Sequence, residues 1–130
     1  MTADLDVAQT AMAHWQHGAA SGDWSNLVAM LAADVSYHVP VPGFEGIQHG
    51  VPAAERFFDY LTANLRADLR VTSTLTGDSR VGFEVHVAGT FYGKRFSQAL
   101  CLVFAIRDGA VASFSEYLAW PGGLPDTGSD

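Results

Sequence analysis

The sequence has little cysteine, little positive charge and no long apolar run. Its single cysteine, Cys101, excludes an internal disulfide and a cysteine-based zinc site. Seven basic residues against 14 acidic ones give a formal net charge of −7, so phosphate backbones and anionic lipids would repel the chain. The longest purely apolar run, Ala99 to Ile106, is too short to span a bilayer. We therefore expect neither nucleic acid nor a membrane as a partner.

The remaining composition is that of a folded protein. Apolar residues make up 48 % of the chain and charged residues 16 %, and 130 residues suffice for one core but not for two. We predict one domain over residues 1–120 and a flexible tail over residues 121–130, where Gly, Pro, Ser and Asp predominate. Asp4 and Asp6 stand where a secretory signal would need positive charge, so we expect a cytoplasmic protein.

Hydrophobic periodicity predicts helices in the first half of the chain and strands in the second. Apolar residues have helical spacing over 5–20 and over 23–32, and again from Pro52 to Leu65. Period-two spacing predicts strands, which are separated by a proline-rich break or by turns containing glycine, over 34–39, 70–76, 80–91, 95–106 and 110–120. This order of elements is an α+β pattern.

The strand over 95–106 is apolar on both of its faces. Leu100, Leu102 and Phe104 alternate with Ala99, Cys101 and Val103. The chain's own helices can cover one face, and a second copy of the chain is the simplest cover for the other. We therefore predict a homodimer packed through the sheet.

Several short segments, in a fixed order, resemble a known protein family. They are Trp15 with Ser21-Gly22-Asp23-Trp24, the run from Ala33 to Pro40, the run from Phe104 to Val111, and Ser115-Glu116-Tyr117. Together they resemble the SnoaL-like, ketosteroid isomerase and limonene epoxide hydrolase branch of the nuclear transport factor 2-like superfamily. The resemblance implies a cone-shaped, curved, mostly antiparallel sheet packed against three N-terminal helices. It also implies an internal pocket for a small hydrophobic ligand.

The ketosteroid isomerase pattern is missing its polar groups in this chain. That pattern uses a carboxylate base, with a Tyr and a protonated Asp that donate to an enolate oxygen. By resemblance, these positions fall on Val39, on Trp15, and near Cys101 or Leu102. The chain is therefore not expected to be a ketosteroid isomerase that uses this mechanism.

The epoxide hydrolase pattern fits better but is incomplete. The resemblance assigns its water-positioning Tyr to Tyr37 and one of its two catalytic carboxylates to Glu116. Its Asn falls on Val39, and its Arg and second Asp fall on Glu84 and His86. The loss of the Arg removes the bridge between the two carboxylates of that family.

Glu116 is the strongest candidate catalytic residue, and the case for it does not need the family. Strand alternation places Glu116 with Phe114 and Leu118 on an apolar face. A buried carboxylate without a partner must take up a proton or find a donor, which suits a general acid or base. The competing interpretation is an edge residue that twists out to solvent.

His86 and Glu84 can be interpreted in two opposite ways. Their alternation with Val85 and Val87 sends the valines inward and this pair to water, whereas the resemblance implies that the pair faces the pocket. In the second case His86, whose ordinary pKa suits proton transfer near neutral pH, could relay a proton with Glu116.

Other residues are candidates for the pocket wall. Tyr37 is expected on the buried side of the first strand, where its hydroxyl makes one core hydrogen bond or donates to substrate. The other expected substrate-binding residues are Trp15, Val39, Phe57, Glu84, Phe114 and Leu118. His14 and His17 lie one helical turn apart but lack a third ligand nearby in the sequence, so we expect no metal.

These observations favour a cofactor-free enzyme that performs general acid–base chemistry on a small hydrophobic carbonyl compound. The expected reaction is isomerisation or cyclisation, with Glu116 as base or acid, His86 as its partner and Tyr37 as a donor. One alternative is an epoxide hydrolase or epoxide-opening cyclase of the limonene epoxide hydrolase type. The other is a module without catalytic activity that binds a hydrophobic ligand or serves dimerisation.

Overall fold

The computed structural model describes residues 2–119, and the predicted tail over 121–130 lies outside them. The helices in this range are α1 (Thr2–Ser21), α2 (Ser25–Val28) and α3 (Val51–Asn64). The strands are β1 (Leu31–His38), β2 (Gln48–His49), β3 (Leu65–Thr76), β4 (Arg80–Phe91), β5 (Lys94–Arg107) and β6 (Ala110–Leu118).

The six strands form one curved, unclosed sheet in the order β2-β1-β6-β5-β4-β3. β1 runs parallel to β6, and all other neighbouring strands in the described range are antiparallel. The predicted α+β class is therefore confirmed.

Two tight hairpins set the register of the long strands. Tyr92 and Gly93 have φ angles of 52° and 74°, and Asp108 and Gly109 have 54° and 76°. A two-residue turn in which both φ angles are positive matches the twist of the paired strands. Glycine adopts a positive φ without steric cost, which explains its presence at the second position. The register then places Phe83, Leu102 and Glu116 in one row across β4, β5 and β6.

The helices cover the sheet face that carries this row, which we call the inner face. Trp15 of α1 contacts Phe104 and Phe114 on this face, with ring centroids 6.0 Å and 5.5 Å away. Phe58 of α3 packs edge to face with Trp15 at 5.6 Å. The hydrophobic core therefore lies between α1, α3 and the inner face.

The structure departs from the predicted elements where strand pairing overrides local helical spacing. The second predicted helix ends at Val28 rather than near residue 32, because Leu31 pairs with Val111 as β1 begins. Likewise β3 begins at Leu65, directly after α3, and pairs this residue with Phe91. The two-residue strand β2 was not predicted. Within the described residues, the helices all fall short of the length and apolar character that a bilayer crossing requires.

Candidate functional site

A mostly apolar pocket of about 400 Å³ opens between the helices and the inner face. Trp15 of α1, Leu61 of α3 and side chains of β3 to β6 form its walls. Residues 40–42, after β1, and residues 94–96, at the start of β5, also line the pocket. The volume falls in the range typical of small-molecule sites.

Glu116 lies in the wall of this pocket and has no polar partner among residues 2–119. Its cross-strand neighbour Leu102 is fully buried, and Leu118 follows it on the same face of β6. Burial in these apolar surroundings raises the pKa of the Glu116 carboxyl from 4.5 to about 7. The side chain stays partly accessible because it faces the pocket.

A carboxyl group with this pKa can exchange protons with a ligand near neutral pH. Both protonation states are populated there, so the group can accept a proton and return it without a large free-energy difference. Its accessible side faces a pocket that is largely apolar, where a proton transfer is little affected by bulk water. The geometry therefore fits a general base or acid.

Trp15 lines the same pocket as Glu116. Its ring contacts that of Phe114, two residues before Glu116 on the same face of β6, with an interplanar angle of 73°. The indole carries an N–H group that can only donate a hydrogen bond. Trp15 and Leu118 are the predicted substrate-binding residues that line the pocket.

Tyr37 does not line this pocket, although the sequence predicted it as a donor to substrate. Its side chain is only 2 % exposed, and its hydroxyl donates to the backbone carbonyl oxygen of Ala53 at 3.0 Å. Its ring stacks on Phe114 with centroids 4.9 Å apart and an angle of 6° between the planes. The alternative of core packing with one hydrogen bond therefore describes Tyr37, and burial raises the pKa of its hydroxyl.

The predicted pairing of His86 with Glu116 is wrong, because the two side chains lie on opposite faces of the sheet. In β4 the inward side chains are Val85 and Val87, both buried, so His86 and Glu84 lie on the opposite, outer face. Burying the valines is favourable, and strand alternation then sends the polar pair outward. The structure therefore does not bring His86 and Glu116 together, and Glu84 does not line the pocket that contains Glu116.

His86 and Glu84 instead border a groove on the outer face. Arg70, Cys101 and Tyr117 also line this groove. Burial, together with the negative charge of Glu84, raises the pKa of the Cys101 thiol, so the thiol is not an activated nucleophile.

Three further predicted wall residues belong to the core. Val39, Phe57 and Phe114 are buried and lie outside the pocket lining. Phe57 and Phe114 both pack against the buried ring of Tyr37, with centroids 5.5 Å and 4.9 Å away.

The polar side of the pocket was not predicted from the sequence. Lys94, Arg95 and Gln98 line it, although Lys94 precedes the strand predicted over 95–106. The signal was available in the alternation of Lys94, Phe96, Gln98 and Leu100, which share one face of β5. Within residues 2–119, no group of three His, Cys, Asp or Glu side chains could hold a metal ion.

The comparisons with known proteins identify the family of this chain. The model of the SnoaL-like domain matches residues 11–114, so the chain belongs to the SnoaL-like domain family. No curated protein matches the chain at a significant level.

Solved structures show the same fold at low sequence identity. An NTF2-like protein from Anabaena variabilis is 26 % identical, with a TM-score of 0.84 and 92 % coverage of both chains. An LEH-like epoxide hydrolase from M. tuberculosis is 16 % identical, with a TM-score of 0.69 and coverage of 90 % of this chain and 83 % of that chain. A Jannaschia sp. CCS1 protein, assigned provisionally as a SnoaL-like polyketide cyclase, is 12 % identical, with a TM-score of 0.72 and coverages of 90 % and 85 %.

Proposed function

We propose that this protein is a cofactor-free isomerase or cyclase in which Glu116 acts as the general base on a hydrophobic carbonyl compound. The observation that carries the proposal is the Glu116 carboxyl, unpaired among the described residues, in the wall of an apolar pocket. Similar folds named for cyclase and epoxide hydrolase activity support small-molecule chemistry in this location.

In the proposed reaction, the Glu116 carboxylate takes a proton from the carbon next to the substrate carbonyl. The C–H electron pair forms an enolate, and Glu116 becomes a neutral acid. For isomerisation, Glu116 returns the proton to another carbon of the conjugated system. For cyclisation, the enolate carbon attacks a second carbonyl, and the resulting alkoxide takes up the proton.

The enolate oxygen needs a hydrogen-bond donor, and we assign this role to the indole N–H of Trp15. Trp15 and Glu116 both line the pocket, and Trp15 contacts Phe114, two residues before Glu116, whereas Tyr37 donates its hydroxyl hydrogen to the carbonyl oxygen of Ala53. A donor placed where negative charge develops stabilises the transition state more than the ground state.

A non-catalytic module that binds a hydrophobic ligand is the second candidate. It is favoured by the small number of polar groups near Glu116, because the predicted partners His86 and Tyr37 point elsewhere. Epoxide opening is less well supported, because the positions matched to that family's Arg and second Asp lie on the outer face.

Deuterium exchange into a simple ketone separates these candidates. We expect the protein to accelerate exchange of the α-protons of 2-decanone in D₂O, measured by NMR at pH 7.5. Glu116→Gln should slow this exchange by about 100-fold or more, the usual contribution of a general base. The matched control Glu55→Gln, at an exposed position of α3, should exchange like the parent protein. Unchanged exchange in Glu116→Gln would favour the binding module.

A further inference from the structure

We propose that the pocket takes an elongated keto acid, whose carboxylate lies at the pocket mouth beside Lys94. This inference rests on the proposed function and deepens it by naming the substrate class. It depends on the position of Lys94, on the charges of the pocket wall and on the distance between Lys94 and Glu116.

Lys94 is the first residue of β5 and lies on its inner face. It pairs with Phe91, and Phe96 and Gln98 follow it on the same face. Both Lys94 and the adjacent Arg95 are exposed and line the pocket. The ammonium group of Lys94 therefore belongs to the part of the pocket that is in contact with water.

The charges of the pocket wall differ from those of the whole chain. The chain carries a formal net charge of −7, whereas the charged residues of this pocket are Lys94, Arg95 and Glu116. Within residues 2–119, the side-chain ion pair joins Arg107 and Asp34, whose atoms are 2.5 Å apart. Lys94 and Arg95 therefore have no carboxylate oxygen within 4 Å among these residues. Lys94 and Arg95 are therefore available to bind an anionic group of a ligand. The negative charge of the rest of the chain would repel such a group elsewhere.

Lys94 and Glu116 occupy opposite ends of the pocket. Lys94 precedes Leu102, the cross-strand partner of Glu116, by eight residues of β5. Eight residues span roughly 26 Å in a straight strand and less on a curved sheet, which is too far for an ion pair between the two side chains. The wall between them is apolar apart from Gln98 and includes Phe96 and Leu100. A ligand that contacts both ends must therefore be elongated and largely apolar.

These features define the orientation of the ligand. A carboxylate would lose its hydration inside the apolar part of the pocket, but beside Lys94 it keeps contact with water and gains an opposite charge. The apolar body then fills the interior, and the carbonyl end reaches Glu116. A neutral ligand of the same length would lack the contact with Lys94.

Binding of a matched pair of ligands tests this inference. We expect calorimetry at pH 7.5 and low salt to show about tenfold tighter binding of decanoate than of decan-1-ol. Lys94→Gln should weaken decanoate binding about fivefold to tenfold and leave decan-1-ol within twofold, and Lys94→Arg should restore it. The matched control Arg80→Gln removes one positive charge outside this pocket and should change neither ligand. Added salt should reduce the preference for decanoate by screening.

The inference would be overturned by equal or tighter binding of decan-1-ol, by equal losses for both ligands in Lys94→Gln, or by no binding of decanoate at millimolar concentration. The Glu116→Gln variant keeps this test separate from the proposed function. It should keep the preference for decanoate while losing proton exchange. If Lys94→Gln changes nothing, the inference alone fails. If Glu116→Gln exchanges protons normally, the proposed function fails.

Discussion

At the scale of single residues, the proposed chemistry depends on Glu116, an ionisable side chain with apolar neighbours on its strand face. Glu116 follows Phe114 and precedes Leu118 on one face of β6, and this alternation alone predicted a carboxyl on an apolar face. The raised pKa has desolvation as its cause. Burial of this carboxyl therefore reduces the stability of the protein when the group is ionised.

This cost predicts a pH-dependent effect of Glu116→Gln on stability. The folded protein holds the Glu116 proton up to about pH 7, whereas the unfolded chain releases it near pH 4.5. The contribution of Glu116 to the free energy of unfolding therefore falls as pH rises from 4.5 to 7, and it is constant above 7. At about 1.4 kcal/mol per pKa unit, the variant gains up to about 3 kcal/mol over the parent at pH 8.

Urea unfolding of both proteins at pH 4.5 and pH 8 measures this effect. The difference between variant and parent should be small at the lower pH and should grow at the higher one. The same difference at both pH values would show that Glu116 titrates as it does in an unfolded chain.

At the scale of elements, strand alternation was a better guide than family resemblance. The alternation of β4 correctly placed His86 and Glu84 away from the core, whereas the resemblance implied that they face the pocket. The boundaries near Leu31 and Leu65 could not be predicted, because they depend on pairing with strands distant in sequence. Whether Tyr37 lines the pocket or fills the core depends on helix placement, which the local pattern does not determine.

The packing of α1 on the segment before α2 makes a prediction about Gly18. A β-carbon on Gly18 would lie within 3 Å of the ring carbons of Trp24, which stacks on Phe58 at 4.9 Å. Gly18→Ala should therefore destabilise the protein by about 1–3 kcal/mol through overpacking, although alanine favours a helix. Thermal or urea unfolding measures the change.

A double-mutant cycle supplies the control for Gly18. With Trp24→Leu in place, Gly18→Ala should be neutral or stabilising, because the clashing ring is gone. An equal loss in both backgrounds would show that the destabilisation comes from the backbone of α1 and not from Trp24.

At the scale of the whole molecule, the outer face of the sheet has no helix of the described residues packed on it. It carries the groove lined by Arg70, Glu84, His86 and Tyr117, and Tyr117 is 49 % exposed. We propose that a second copy of the chain covers this face, since a two-fold interface would bring Arg70 and Glu84 of opposite sign from both copies to one surface.

Tyr117→Glu tests this dimer. The substitution adds a negative charge to the groove that Glu84 also lines, on the far side of Cys101. We therefore expect the dissociation constant of the dimer to rise at least tenfold in sedimentation experiments. The matched control Ile47→Glu changes an apolar residue that is 65 % exposed in the segment between β1 and β2, and it should leave the dimer intact. A parent protein that sediments as a monomer at micromolar concentration would refute the proposed dimer.

Titration of the Glu116 side chain by ¹³C NMR tests directly whether this carboxyl can act as the base. The carboxyl resonance is assigned by its absence in Glu116→Gln and followed from pH 4 to pH 9. We predict a midpoint near pH 7, as expected for a desolvated carboxyl in the pocket wall. A midpoint near pH 4.5 would mean that water solvates Glu116 fully, and it would contradict the assignment of Glu116 as the base.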